Sequence, residues 1–253
     1  MIVLPSVLPN GDRLRLVTQP DHAAFAADLL SLFRLPELAD HPRRTDLLRA
    51  VRLHDNGWRE LDAAPPADPA SGLPHTFLDL PRPLRLEVWE RGTARYLQSD
   101  PYTALLVTEH ALALFVDQAE ADGWRELLGR LADRRSELLD RCGLAAEDLA
   151  ADYRWLDLAD RLSLAVCNGW CEPFERHGFT GELREDGLAL SPFPLAGATT
   201  FEVPCRFIDV RRYAGDGDLA VALAGARWTS FPLRVVPGPA GSAAPVNPRR
   251  ATP

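Results

Sequence analysis

Six histidines, at positions 22, 41, 54, 75, 110 and 177, are the side chains here best suited to hold a metal or to move a proton near neutral pH. Their helical context sorts them. In Thr45 to Asp55 the apolar positions Leu47, Leu48 and Val51 extend at the next i+3 and i+4 steps to His54 and Asp55, so both polar residues stand at the end of a buried stripe. Phe25, Ala26, Leu29 and Leu32 or Phe33 trace a stripe that runs back to His22. His110 is three or four positions from Leu106, Val107, Ala113 and Leu114, and Asp160 from Leu156, Ser163 and Leu164. Four separate helices thus aim imidazole or carboxylate inward.

A single histidine on an apolar face is commonly a hydrogen-bonded core residue, and an adjacent His-Asp pair is a weak sign by itself. Buried carboxylates are another matter. An unpaired charge in a core costs several kcal/mol and is normally found paired or on a metal. The sequence contains no lysine, and Arg52 and Arg161, the nearest cations along the chain, leave on differently directed faces. A divalent transition metal is therefore the expected neutraliser of Asp55 and Asp160 among His22, His54 and His110: Mn, Fe, Zn or Ni, as one or two ions. Such an ion keeps positions for water and a substrate oxygen, lowers the pKa of that water and polarises a phosphorus or carbonyl centre. Glu109, Asn56 and Gln19 are polar neighbours expected to hydrogen-bond the ligand histidines from behind. Trp58 either walls the pocket and stacks on a base or packs as a core aromatic under a Pro-rich loop. His41 and His75 sit on no apolar stripe and are left outside the set.

The elements that must position these residues change period along the chain. Residues 1–18 read as a hairpin around Asn10-Gly11. Helical periods follow over roughly 21–33, 44–55, 84–98, 101–117, 122–141, 145–152 and 154–170, broken by Asn56-Gly57 and by the Pro-rich stretch from Ala63 to Pro83. After His177 the period returns to two around Asp186-Gly187, Thr199 to Ile208, Leu219 to Leu223 and Trp228 to Val236. The expectation is a mostly α protein: a helical bundle over 19–177 with a small antiparallel sheet over 178–236, which the opening hairpin joins. Residues 1–236 are then one domain and 237–253 a disordered tail.

The order His22, His54-Asp55, Asp160, with His110 between, resembles the HD-domain superfamily of metal-dependent phosphohydrolases. The resemblance implies a helical bundle with His22, His54, Asp55 and Asp160 as core ligands, and His110 where two-metal members place further histidines. It also implies that Asp55, besides ligating, orients the attacking water; Asp55 and Glu109 are the residues expected to act in catalysis. More narrowly, Gln19-Pro20-Asp21-His22, His54-Asp55-Asn56-Gly57-Trp58, Leu106-Val107-Thr108-Glu109-His110 and Asp160-Arg161-Leu162-Ser163-Leu164 look like the motifs of an uncharacterised bacterial family of about this length. The implied function is hydrolysis of a small phosphorylated compound, a nucleotide among the candidates. The alternatives are an iron-dependent oxygenase, which needs His75 or His41 beside His110 on a second metal, and a non-catalytic metal-containing binding or regulatory protein.

Composition removes other classes. With 28 Lys+Arg, 36 Asp+Glu and a net charge of −8, non-specific nucleic-acid binding is not expected, whereas a small anionic substrate is compatible. Without lysine there is no P-loop and no Schiff base. Cys167 and Cys171 with His177 offer too few ligands, too widely spaced, for a structural zinc. No Gly-x-Ser-x-Gly elbow and no dinucleotide fingerprint is present. The opening Met1-Ile2-Val3-Leu4-Pro5 lacks a basic segment, and the longest apolar run is far short of a membrane span, so a cytoplasmic protein with reduced cysteines and no membrane partner is expected. Nothing in the sequence separates a monomer from a dimer.

Overall fold

The computed structural model describes residues 1–8, 11–118, 121 and 123–239. Strands β1 (Ile2–Leu8) and β2 (Gly11–Val17) pair antiparallel, and β2 runs directly into helix α1 (Gln19–Ser31). Thr18 caps α1 by accepting from the Asp21 amide at 3.1 Å, and Pro20 lies in the first turn, where its missing N–H loses no helical bond. The helices that follow are α2 (Pro36–Ala39), α3 (Arg44–Leu53), α4 (Arg59–Ala63), α5 (Arg82–Ala94), α6 (Pro101–Phe115), α7 (Trp124–Cys142) and α8 (Ala146–Asn168), with a single 3-10 turn at Asn56–Trp58 between α3 and α4. Strands β3 (Phe174–Arg176), β4 (Phe179–Arg184), β5 (Gly187–Ser191) and β6 (Thr199–Asp209) come next, then α9 (Asp216–Gly225) and β7 (Trp228–Pro237).

All seven strands form one sheet in the order β1-β2-β6-β7-β5-β4-β3, antiparallel except where β5 pairs parallel with β7. The opening hairpin enters this sheet through β2 against β6, Leu14 opposite Ile208. Alternation along β2 and β6 gives the sheet two apolar faces. Val17, Val203 and Cys205 pack with α1, α3, α6 and α8, whereas Leu14, Leu16 and Ile208 pack with Leu219 and Leu223 of α9. Helix α6 is apolar on nearly every side, with Ala104 to Thr108, His110 and Ala111 all buried, so it runs through the interior instead of along the surface. Its outer flank is closed by α5 and α7, where Trp124 stacks on Phe115 at 3.9 Å beside Trp89.

This architecture corrects the expected helical bundle with a small antiparallel sheet. Helices account for 51% and strands for 21%, and the sheet is large, curled and mixed. Three local readings explain the difference. Leu219 to Leu223 form helix, not strand: Leu219 and Leu223 are buried one turn apart while Val221 between them is 73% exposed, which is the helical period. The helices expected at 145–152 and 154–170 are the single helix α8, since no breaker separates them. β3 is only three residues long and carries no alternation strong enough to announce itself. The Asn10 turn and residues 240–253 of the expected tail lie outside the described residues, while Pro237 still belongs to β7.

Candidate metal centre

The five side chains singled out as ligands come from four elements and meet in one buried cluster. His22 lies in the first turn of α1, His54 caps the C-terminus of α3, Asp55 follows it, His110 is on α6 and Asp160 on α8. The three imidazoles are 0–1% exposed and the two carboxylates 6% and 7%. His22 Nε2 is 2.8 Å from Asp55 Oδ2, and His54 Nε2 is 3.2 Å from Asp160 Oδ1 and 3.7 Å from Asp55 Oδ2. His110 Nε2 reaches Asp160 Oδ2 at 4.0 Å. The rings of His22 and His54, and of His54 and His110, cross edge-on with centroids 5.1 Å apart in both pairs. One ligand atom each from His22, His54 and Asp160, and one each from His54, Asp55 and His110, lie within 4.8 Å of one another, so these groups could hold a metal ion.

Hydrogen bonds on the far side of the rings fix their tautomers. The Val51 carbonyl, 2.7 Å from His54 Nδ1, can only accept, so Nδ1 carries a hydrogen. The Ser163 hydroxyl donates to the Asp160 carbonyl at 2.9 Å, which leaves its oxygen to accept from His22 Nδ1 at 2.8 Å. Both histidines therefore turn Nε2 toward carboxylate oxygens. A bare lone pair there would face negative charge, so each Nε2 needs a second proton or a cation beside it.

The electrostatics follow the same geometry. Burial works against a charged His54, but Asp55 and Asp160 outweigh it and push the imidazole up to about 9 in the metal-free protein. Burial raises Asp55 and Asp160 too, yet the surrounding histidines win and hold both below the usual carboxylate range. His110 goes the other way: burial dominates and lowers it to about 4. Its Nδ1 is 3.1 Å from the Tyr153 hydroxyl, whose phenol is pushed above its ordinary value by burial and by Asp157 and Asp160.

The turn that presents Asp55 is clamped from outside. Asn56 Nδ2 donates to the Leu53 and Gly92 carbonyls, and Arg91 of α5 donates to the Gly57 carbonyl at 2.7 Å. Asn56 thus holds the turn instead of bonding a ligand histidine. Gln19 is buried beside α4, its backbone N–H donating to Asp62 Oδ2 at 2.6 Å. Trp58 takes the core role: it packs with Leu80 and Val88 under the Pro-rich stretch. Glu109 stands apart from the cluster, paired with Arg135 of α7. His41 bonds Asp152 at 2.8 Å and His75 faces Asp79 at 3.5 Å, and neither is among the groups that converge. The residues that sequence reasoning missed are Ser163 behind His22 and Tyr153 behind His110. Both sit at helical spacing from Asp160, which was the available signal.

Residues 7–210 match a family described as a protein of unknown function, DUF3891. The chain belongs to the DUF3891 family. No curated protein and no solved structure matches it. This corrects the resemblance to the HD-domain superfamily: the matching family is another one, and DUF3891 here is a seven-stranded sheet with helices, not an HD-domain bundle. Among the described residues of this DUF3891 protein no helix is long and apolar enough to cross a membrane.

Proposed function

We propose that His22, His54, Asp55, His110 and Asp160 hold one divalent transition metal, Mn, Fe, Zn or Ni, and that the protein is a metal-dependent hydrolase of a small phosphorylated compound. The observation that carries this reading is the pair of Nε2 atoms, on His22 and His54, turned toward carboxylates while both Nδ1 positions are taken. Ligands about 2.0–2.2 Å from one ion lie at most roughly 4.4 Å apart, and the ligand atoms of each triad lie within 4.8 Å of one another, so little rearrangement separates either triad from a bound ion. His54 belongs to both triads and has only Nε2 to offer, which favours one ion over two. Three imidazoles and two carboxylates without a thiolate suit a borderline transition metal better than Ca or Mg.

The bound ion supplies a Lewis acid and a water of lowered pKa. Asp55 meets the histidines through Oδ2, and no described residue bonds its Oδ1, which leaves that oxygen to take the proton of the attacking water. The oxygenase reading needs His41 or His75 on a second metal, and their pairing with Asp152 and Asp79 weighs against it. The test is phosphate release from p-nitrophenyl phosphate by protein loaded with each metal in turn. Metal-dependent turnover that is lost in Asp55→Asn supports the hydrolase, and no turnover with any of the four metals overturns it.

Metal uptake should release protons. His54 titrates at about 9 in the metal-free protein, so at neutral pH an incoming ion displaces its Nε2 proton. Apparent affinity should rise by about tenfold per pH unit toward that value and level off above it. Calorimetric titrations in buffers of different ionisation enthalpy measure the released proton directly. Glu109→Ala, by contrast, should leave metal content unchanged, because Glu109 is paired with Arg135 away from the cluster.

A further inference from the structure

Beside the His/Asp cluster, on the α8 side, lies a surface pocket lined by Ala113, Tyr153, Asp157, Glu175, Arg176 and His177. Tyr153, Asp157 and Asp160 follow one another at i, i+4 and i+7 along one face of α8, so the pocket and the cluster share a wall. The contact between them is Tyr153, whose hydroxyl meets His110 Nδ1 at 3.1 Å. Arg176 grips Asp157 with Nε and Nη2, both at 2.6 Å, and His177 Nε2 meets the same carboxylate at 2.6 Å. That grip uses one edge of the guanidinium. Among the described residues nothing bonds Arg176 Nη1, and the side chain is 52% exposed.

We propose that this pocket is an anion subsite beside the metal site, in which Arg176, His177 and Tyr153 receive a phosphate group of the substrate other than the one the metal faces. The inference rests on the metal reading above and names the residues that recognise the substrate of that site. A guanidinium with a free edge matches the oxygens of a phosphate in a two-pronged hydrogen bond. Asp157 holds Arg176 and His177 in place and leaves Arg176 Nη1 without a partner among the described residues. Were His110 Nε2 to hold the ion, Nδ1 would carry the ring hydrogen and donate to the Tyr153 oxygen, leaving the phenol hydrogen for a ligand in the pocket. Arg161, resting on the rings of Phe174 and Trp170, lies close enough to Arg176 to add to the positive field in a chain of net charge −8.

The backbone at His177 separates function from stability. His177 (φ +50°) and Gly178 (φ +81°) form the two-residue turn joining β3 to β4, a conformation in which Asn before Gly is strongly favoured. His177→Asn should therefore fold at least as well as the wild type while weakening phosphate.

Inorganic phosphate is the probe, titrated by calorimetry into both metal-free and Mn-loaded protein, with metal content per chain measured alongside. The expected result is saturable phosphate binding to both forms, tighter with Mn. Arg176→Gln should weaken it about tenfold or more, the loss of a charge-assisted hydrogen bond, with metal content unchanged. Arg176→Lys keeps the ion pair with Asp157 but not the fork, and carries the test should Arg176→Gln fail to fold. Arg82→Gln, at an exposed arginine elsewhere, should change nothing. Phosphate affinity unchanged in the Arg176 and His177 variants, no saturable binding to either form, or acetate binding as tightly as phosphate would each overturn the proposal. Phosphate binding that depends on Arg176 in a protein that takes up no metal would instead defeat the metal reading and leave the anion pocket standing.

Discussion

His54→Ala should release the metal altogether. His54 is the ligand common to both triads, and its Nε2 stands between Asp55 and Asp160. Its removal takes away a ligand and leaves two buried carboxylates with less to balance them. Substitutions that disturb only the hydrogen bond behind a ligand histidine weaken metal affinity by about 10–100-fold, so loss of the ligand itself should exceed that range. Ser163→Ala gives the internal comparison. It removes the acceptor behind His22 Nδ1 and should weaken metal by about 10–100-fold without abolishing it. Competition for the ion with a chromophoric chelator reads both variants on one scale, and a His54→Ala protein that holds metal as tightly as Ser163→Ala would contradict the assignment.

Gly57→Ala should be strongly damaging. A Cβ at position 57 would lie 2.2 Å from the Val88 carbonyl oxygen and 2.9 Å from Gly92 Cα, so the turn and α5 must separate. Backbone cannot swing aside as a flexible side chain can, which places the cost toward the upper end of overpacking, about 3 kcal/mol. For a chain of this size that lowers the melting temperature by roughly 6–12 °C. The same displacement drags on Asp55, two residues away, and on the Asn56 and Arg91 bonds that hold the turn, so metal affinity should fall with stability. Gly129→Ala is the contrast: nothing lies within 4 Å of its Cβ in α7, and helix propensity alone should stabilise the protein by about 0.5–1 kcal/mol. Thermal melts of the two alanine variants beside the wild type settle the sign of each.

Much of the candidate centre was legible in the sequence because helical stripes report direction. His22, His54 and His110 each follow the apolar positions of their own helix, and inward direction from several helices is enough to make them converge. Glu109 shows the limit of that reasoning. It is adjacent to His110 in sequence, but successive helical residues do not share a face, and its carboxylate leaves toward Arg135. Asn56 and Trp58 were flagged for their closeness to the His-Asp pair, whereas their work is to lock the turn and to pack it. The pocket residues were illegible for a different reason. Arg176 and His177 reach Asp157 from a three-residue strand and its turn, a contact made by the sheet topology and by nothing local.

The extent of the sheet was misread on similar grounds. Leu219, Val221 and Leu223 alternate as a strand would, and only the exposure of Val221 shows that the buried pair is spaced as a helical turn. β6 was expected over Thr199 to Ile208 and forms there in spite of Pro204, a residue that ordinarily argues against a central strand. Family membership came from the comparison over residues 7–210, and it places the chain outside the superfamily its ligand order resembles.

The most direct measurement is elemental analysis of protein purified without chelator and without a His-tag, for the wild type, His54→Ala, Asp55→Ala and His177→Ala. The account predicts close to one Mn, Fe, Zn or Ni per chain in the wild type and in His177→Ala, and none in the other two. Equal metal content in all four proteins, or a wild type that acquires no divalent ion even when one is added, would contradict it.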